Sequence, residues 1–371
     1  VQFTVNPAAF DEAATVAARA ASNRGTLPVL SHLLIRAEGG RLHLTGSDLA
    51  LGVTTSIEAE VEAPGAACLP AKTLLAIVRL DAPELTVAWN DGNKQAHLTW
   101  RGGRYDLAGY LGDEYPEQPQ PTGEPILILT TADWRNVLAR TAFCASRDDT
   151  GQPLIGVHLL VRPAGETAAL SATASDTVRV AHWRQSGLPL VGAGDLVLPM
   201  AGARALQALL PDKGQASLYD AGGAWVVACE TLTVSVRKVE GQYPDLVRLL
   251  PTEYTGARLR VRRQDLFNAL ERLTAMNETS PDVGWVVTAR DLLLKIRGQS
   301  GTAEELVEAD VEHVKGDAFT AGFNARYVIE GLRAMTGEHT FIGFTSEKEP
   351  ARFRDSGADG YQYVVLPVIN Y

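Results

Sequence analysis

Leu30-Ser31-His32-Leu33-Leu34-Ile35-Arg36 returns, two residues longer, as Leu154-Ile155-Gly156-Val157-His158-Leu159-Leu160-Val161-Arg162, 124 positions downstream. Landmarks on either side return with it, in the same order. Before it, apolar side chains at Phe10, Ala13, Ala14 and Ala17 mark one face of a helix. The same i, i+3, i+4, i+7 spacing recurs at Trp134, Val137, Leu138 and Thr141, and again at Leu266, Ala269, Leu270 and Leu273. After it, Leu69-Pro70 opens a second helix-like stretch, as do Leu198-Pro199 and then Phe323-Asn324. Glu114-Tyr115-Pro116 comes back as Gln242-Tyr243-Pro244, a step of 128. A third of 371 residues is about 124, so three units fill the chain.

The stretch Glu117-Gln118-Pro119-Gln120-Pro121-Thr122-Gly123-Glu124 is proline-rich and nearly free of apolar residues, as a connector is. Leu250-Pro251-Thr252-Glu253 marks a second boundary. The expected domains are 1–124, 125–253 and 254–371. In each, a helix precedes short β-branched or alternating runs, and a second helix interrupts them. Hairpin turns are signalled at Glu38-Gly39-Gly40, Asp91-Gly92-Asn93 and Ala221-Gly222-Gly223. The fold class that follows is α+β, three similar domains each with two helices packed on antiparallel sheet.

The composition is that of an ordinary globular protein. No segment has the order of a signal peptide and no run reaches the roughly 18 apolar residues of a membrane span, so a cytosolic protein is expected. Cys68, Cys144 and Cys229 lie far apart and read as reduced, buried residues. No catalytic constellation emerges. The seven histidines form no metal-binding spacing, no phosphate loop is present, and Gly298-Gln299-Ser300-Gly301 lacks the hydrolase elbow's spacing. Asp148-Asp149 reads as a solvated loop, and Asp355 to Asp359 has too few alternate oxygen ligands for calcium. Neither enzyme activity nor a cofactor is expected.

Charge is unevenly placed. The helix-like windows 7–24, 70–80, 132–147, 199–210, 263–276 and 323–335 hold twelve basic and six acidic side chains. They carry +6, and the remainder carries −16 of the formal net −10. One reading is a set of solvated helix faces; the other is a common positive helical surface with an acidic outside formed by the sheets, which would hold DNA phosphates without reading sequence.

Together with Phe3-Thr4-Val5, Thr26-Leu27-Pro28-Val29-Leu30, Leu44-Thr45-Gly46-Ser47-Asp48-Leu49, Glu240-Gly241-Gln242-Tyr243-Pro244-Asp245, Gly322-Phe323-Asn324 with Tyr327-Val328, and Tyr363-Val364-Val365-Leu366-Pro367-Val368, these features give an end-to-end match. The chain resembles the bacterial DNA polymerase sliding clamps, the β subunits of the DNA polymerase III holoenzyme. The resemblance implies a homodimeric ring of six domains, sheets outside and helices inside, that encircles double-stranded DNA and acts as a processivity factor. A helix of about 18 residues would be roughly 27 Å long, enough to cross the grooves. It implies DNA-facing roles for Arg24, Lys72, Arg79, Arg135, Arg140, Arg147 and Arg204. It also implies a dimer interface at Tyr105 and Leu107 on one side and Leu273, Thr274 and Ala275 on the other.

The resemblance further implies a hydrophobic cleft for a short linear motif of the replicative polymerase α subunit, the clamp loader, and other polymerases or repair proteins. Its walls would be Leu154, Ser175, Thr177, Val178, Arg179, Val180, Pro244, Arg248 and Leu249, completed by Asn324, Tyr327, Val364, Leu366 and Pro367. Taken singly, Val178, Val180, Leu249 and Val364 read as core residues, and Tyr105 and Leu107 as one face of a strand. The sequence departs from the family where Thr-Asp-Gly-His-Arg-Leu is replaced by Ser175-Asp176-Thr177-Val178-Arg179-Val180, losing a glycine and a histidine. Gln152-Pro153 stands in place of a tyrosine pair. The alternative is a peptide-binding scaffold of the same fold that never encircles DNA.

Overall fold

In the computed structural model the described residues are 1–22, 27–146, 153–277, 279, 281–298, 301–357 and 360–368. One order of elements recurs three times: a strand, a helix, four strands, a helix and three strands, with two additional short strands in the first third. The six α-helices among the described residues are α1 (Pro7–Ala18), α2 (Ala71–Ile77), α3 (Thr131–Thr141), α4 (Met200–Leu209), α5 (Arg263–Thr274) and α6 (Ala325–Arg333). All six expected helices form, two in each third, and the three expected hairpin turns join paired strands.

Helix starts follow the sequence closely. Asn6 caps α1 by accepting from the N–H groups of Ala8 and Ala9, and Pro7 occupies the first turn, where its missing N–H costs nothing. Phe10, Ala13, Ala14 and Ala17 are the face it buries. A side chain at Gly46 would meet the carbonyl oxygen of Ala17 at 2.1 Å, so glycine lets α1 lie directly on its strand. Helix ends differ from the expectation. The longest helices, α1 and α5, have 12 residues, about 18 Å rather than 27 Å, because the apolar period stops where the chain turns back toward the sheet.

The chain divides into two compact units, residues 1–135 with 201–238, and residues 136–200 with 239–371. The first unit holds a five-stranded sheet in the order Glu60–Ala63, Gln2–Val5, Leu85–Asn90, Gln95–Trp100 and Gly103–Ala108. It also holds a nine-stranded sheet running from Tyr110–Leu111 through Gly65–Pro70, His32–Glu38, Arg41–Ser47 and Leu51–Glu58. That sheet continues through Leu232–Arg237, Ala224–Ala228 and Gln215–Asp220 to Leu127–Thr130. Strands of the first and second thirds meet here, Leu51–Glu58 pairing antiparallel with Leu232–Arg237.

The second unit holds one twelve-stranded sheet. Its first part runs Gly194–Pro199, Gly156–Ala164, Thr167–Ser175, Arg179–Pro189, Gln362–Val365, Ala351–Asp355, His339–Phe344 and Ala257–Arg262. It ends Gly301–Val314, Asp291–Gly298, Asp282–Thr288 and Ala318–Asn324. The second and third thirds join where Arg179–Pro189 pairs with Gln362–Val365. The long strand Gly301–Val314 turns the corner: residues 301–308 pair with Asp291–Gly298 and residues 309–314 with Ala257–Arg262. Trp285, with Phe323, Phe344 and Phe353 edge-on to it, fills the core between sheet and helices.

Cys68, Cys144 and Cys229 are free thiols. Cys229 is only half-buried, a correction to the expectation that all three are interior, because it lies in the turn after Ala224–Ala228.

Candidate functional site

The second unit brings most of the expected cleft residues to one place, around the loop between strands Thr167–Ser175 and Arg179–Pro189. Ser175 Oγ accepts from Thr177 N at 3.1 Å, and Asp176 Oδ1 accepts from Val178 N and Arg179 N at 3.2 and 3.0 Å. This pair of side-chain caps holds Thr177 at φ +75°, a left-handed conformation that glycine adopts freely and a β-branched residue does not. Threonine in place of the glycine that the resemblance leads one to expect therefore leaves the bend in place and adds strain to it. Thr177→Gly is expected to raise unfolding free energy by about 0.5–1 kcal/mol, the strain relieved less glycine's entropy cost. An urea titration of the variant checks it, and a loss of stability would mean that the threonine side chain is held by something stronger than its backbone strain.

Arg179 fastens this loop to its surroundings. Its Nε donates to Asp176 Oδ2 at 2.8 Å, Nη1 to Glu330 Oε2 at 2.5 Å and Nη2 to the Phe143 carbonyl at 3.2 Å, while the guanidinium lies 4.4 Å from the centre of the Tyr327 ring. Leu366 N donates to the Val178 carbonyl at 2.9 Å, Val180 pairs with Val364, and Val368 N donates to the Gly322 carbonyl at 2.8 Å. The Tyr363 hydroxyl donates to the Tyr327 carbonyl at 2.7 Å, and Asn324 caps α6 through Arg326 N. The loop, residues 364–368 and the start of α6 are thus locked side by side, leaving Val178 (36% exposed), Leu366 (41%) and the half-buried Pro367 as apolar surface.

Of the expected wall residues, Ser175, Arg179 and Val364 are buried and present little surface. Thr177 is exposed, and Val180, Asn324 and Tyr327 are half-buried. Pro244 is exposed on the connector, which is held by Tyr243, whose buried ring stacks on His158 at 4.7 Å. Leu154 is half-buried, and the exposed Arg248 pairs with Asp245; no hydrogen bond or ring contact among described residues ties either to the loop. The side chain of Leu249 lies outside the described residues. The sequence reading missed Val247, 45% exposed beside Pro244; its signal was the apolar run Leu246-Val247 after the proline. A cavity of about 800 Å³ lies beneath this connector, against the sheet face that bears Arg162, His182 and Arg184, and of the expected walls only Pro244 lines it.

A beta sliding clamp of Synechococcus elongatus is 31% identical to this chain over 361 residues, 95% of each. The chain belongs to the beta sliding clamp family. Residues 1–119 match the family model for the DNA polymerase III beta subunit, N-terminal domain, and residues 247–369 that for its C-terminal domain. The beta subunit from the DNA polymerase of Streptococcus pyogenes is similar at 25% identity, with a TM-score of 0.91 over 99% of this chain and 100% of that one. The sliding clamp of Bacillus subtilis, at 21% identity, shares the fold with a TM-score of 0.92 over 100% and 99% of the two chains. The family is that of the DNA replication processivity factor.

The residues expected to face DNA separate on inspection. Arg140 is corrected: it is buried, its Nη1 3.3 Å from Asp355 Oδ2, its Nη2 donating to Thr336 Oγ1 at 3.0 Å and its guanidinium over the Tyr361 ring. Arg79 is exposed beside Asp11 at 3.6 Å. Arg135 donates to the Leu210 carbonyl and pairs with Asp212. Lys72 and Arg204 are exposed with no ion pair to a described residue. Arg24 and Arg147 lie outside the described residues, as do Asp148 and Asp149. With Arg272 and Arg333 also paired, to Glu305 and Glu271, the helical positive charge is far more locally neutralised than counting by window suggests. The sheets are not uniformly acidic either: Arg162, Arg184, Arg258 and Arg354 are exposed on their strands.

Of the expected dimer residues, some lie on the surface and some in the core. Tyr105 is 48% exposed and stacked on Trp100, on the strand Gly103–Ala108, but Leu107 is turned into the core. Leu273 is buried, Thr274 half-buried and Ala275 exposed.

Proposed function

We infer that two copies of this chain close into a ring around double-stranded DNA and act without catalysis as a sliding tether for DNA polymerase. One observation carries the reading: each unit has, among the described residues, an unpaired sheet edge that exposes a large apolar side chain, Tyr105 on one and Leu306 on the other. Gly103–Ala108 is the last strand of its sheet and exposes Tyr105, while its Arg104 is paired with Asp106 at 3.0 Å. Residues 301–308 of Gly301–Val314 pair on one side only and carry Glu304, Glu305 and Glu308, with Leu306 66% exposed. Exposed edges invite pairing with another chain, and joining one edge of each copy to the other edge of its twin uses both and closes the assembly. Tyr105 then seats beside Leu306, where a hollow of about 240 Å³ lies between α5 and the strand.

The three-domain partition 1–124, 125–253 and 254–371 fits this assembly: the repeated element order would place six equivalent modules around the hole. Lys72 and Arg204, with Arg79 and Arg135 at its margin, supply sequence-independent phosphate contact, individually weak and equivalent at every register, which is what sliding requires. The surface of Val178, Leu366, Pro367, Pro244 and Val247 accepts the apolar residues of a linear motif from the polymerase α subunit, the clamp loader or repair proteins.

Leu306→Asp is expected to weaken the dimer about 100-fold or more, as burying an unpaired charge at an interface centre costs several kcal/mol. Sedimentation across a dilution series reads it, and an unchanged dimer would remove this edge from the interface. Ring closure is tested by loading the protein onto nicked circular and linear DNA with a clamp loader. Retention on the circle and loss from the linear form is the expected result; equal loss from both would sink the encircling reading.

A further inference from the structure

The loop after strand Arg41–Ser47, in the first unit, repeats the side-chain caps of the loop Ser175–Val180. Ser47 Oγ accepts from Leu49 N at 3.1 Å, and Asp48 Oδ1 accepts from Ala50 N and Leu51 N at 2.9 and 2.7 Å. Leu49 stands at φ +75°, the value of Thr177. Arg237 N donates to the Ala50 carbonyl at 2.8 Å, as Leu366 N does to that of Val178, and Gly52 pairs with Ser235 as Val180 pairs with Val364. Tyr115, like Tyr243, precedes a proline and turns a buried phenol toward the backbone of its loop serine. Loop, paired strand and connector all correspond.

Here the correspondence encloses a groove of about 340 Å³ within the first unit, bounded by residues 47–52, the connector at 117–119, the turn at 221–224 and the end of strand Leu232–Arg237. Its floor is chemically different. Ser235 and Arg237 stand where the other loop has Val364 and Leu366. Arg237 is exposed and has no ion pair with a described residue, whereas the adjacent Lys238 is committed to Asp220 and to the Trp225 ring. Leu49, 52% exposed, and Pro119 supply an apolar side. Of the two acids nearby, Asp48 is taken up by backbone N–H groups, and Glu117 lines the groove from the connector.

We propose that this groove is a second peptide-binding site of the chain, taking a short extended segment of a partner protein that carries a carboxylate beside a leucine-sized side chain. The apolar side chain rests on Leu49 and Pro119, and the carboxylate meets Arg237. An unpaired guanidinium binds a carboxylate by charge-assisted hydrogen bonds and disfavours a purely apolar anchor, so the two grooves select different partners. The ligand class rests on reading the Ser175–Val180 loop as a peptide wall; the groove and its free arginine do not.

The test is photo-crosslinking of the full chain with a short peptide containing leucine, aspartate and benzoylphenylalanine, mapped by mass spectrometry. Crosslinks are expected in residues 47–52 or 235–238, falling about tenfold in Arg237→Glu and in Leu49→Ser while those near Val178 and Leu366 persist. Both residues are exposed, and a thermal melt confirms that the variants fold. Crosslinks confined to the Val178 and Leu366 region would overturn this site and leave the first cleft standing. Crosslinks in residues 47–52 that ignore Arg237→Glu overturn the proposed chemistry. Arg237-dependent crosslinks with none near Leu366 would keep this site and remove the other, and none at either place would remove both.

Discussion

Arg140→Ala is expected to destabilise the second unit by about 3–5 kcal/mol, the cost of breaking a buried ion pair by removing one partner. The side chains of Arg140 and Asp355 are 6% and 0% exposed, and substitution leaves the carboxylate inside without its cation. The backbone N–H groups of Thr336, Gly337 and Gly357 still hold it, which argues for the lower part of that range. Arg140→Met, which keeps the apolar stem over Tyr361, should lose nearly as much, showing that charge rather than packing dominates. Denaturant unfolding measures both; a loss below about 1 kcal/mol would put the pair among the weak surface bridges.

The same site has a pH signature. Burial alone would raise the Asp355 carboxyl, but the N–H groups of Thr336, Gly357 and Gly337, with Arg140, outweigh it and hold its pKa below the ordinary value. A depressed carboxylate contributes stability that is complete above its unfolded pKa and is lost as pH falls through the folded one. Without Arg140 the depression shrinks, so acid unfolding should begin at higher pH. An unchanged acid limb in Arg140→Ala would show that the backbone donors alone set it.

Arg179→Ala should be the most damaging change to the proposed peptide cleft. It removes three polar contacts and a cation–π stack that join the Ser175–Val180 loop to α6 and to Phe143. A loss of about 3 kcal/mol in stability is expected from the buried network, leaving Glu330 and Asp176 without their cation. Affinity for a labelled peptide containing leucine and phenylalanine should fall about 100-fold as the wall loosens, since that is the effect of a misplaced anchor pocket. Leu366→Asp separates wall from contact. Leu366 is 41% exposed, so its substitution should reduce peptide affinity by a similar factor with stability nearly unchanged. Fluorescence anisotropy and urea titration on both variants decide it; an Arg179→Ala protein that binds normally would mean that the loop holds its shape without the hub.

Much of the fold was legible because local and global preferences agree. The apolar period at Leu266, Ala269, Leu270 and Leu273 marks a buried face, and all four are buried in α5. In two of the three expected hairpins glycine takes the left-handed backbone, at Gly39, Gly40 and Gly222, and in the third Lys94 does. The cleft was legible in part. Val178, Leu366 and Pro367 were placed by their motifs and are surface, while the hydrogen bonds of the buried Arg179 were not readable from its motif. Arg140 looked like any cationic helix residue, and its partner is 215 positions away. Leu306 was overlooked because one apolar residue among Glu304, Glu305 and Glu308 reads as an ordinary strand.

What the amino-acid sequence determined by itself was the threefold plan: which residues start helices, which turn, and which line a core. Those depend on φ/ψ preference and on apolar spacing within a few residues, and each repeat carries its own copy. The tertiary structure alone decided how strands from neighbouring thirds share a sheet, which arginines are neutralised, which edges stay open, and that one loop design yields an apolar surface at Val178 and a cationic groove at Arg237. These depend on groups brought together across tens to hundreds of residues. Burial strengthens or cancels a charge only according to what stands beside it, and local spacing does not encode that.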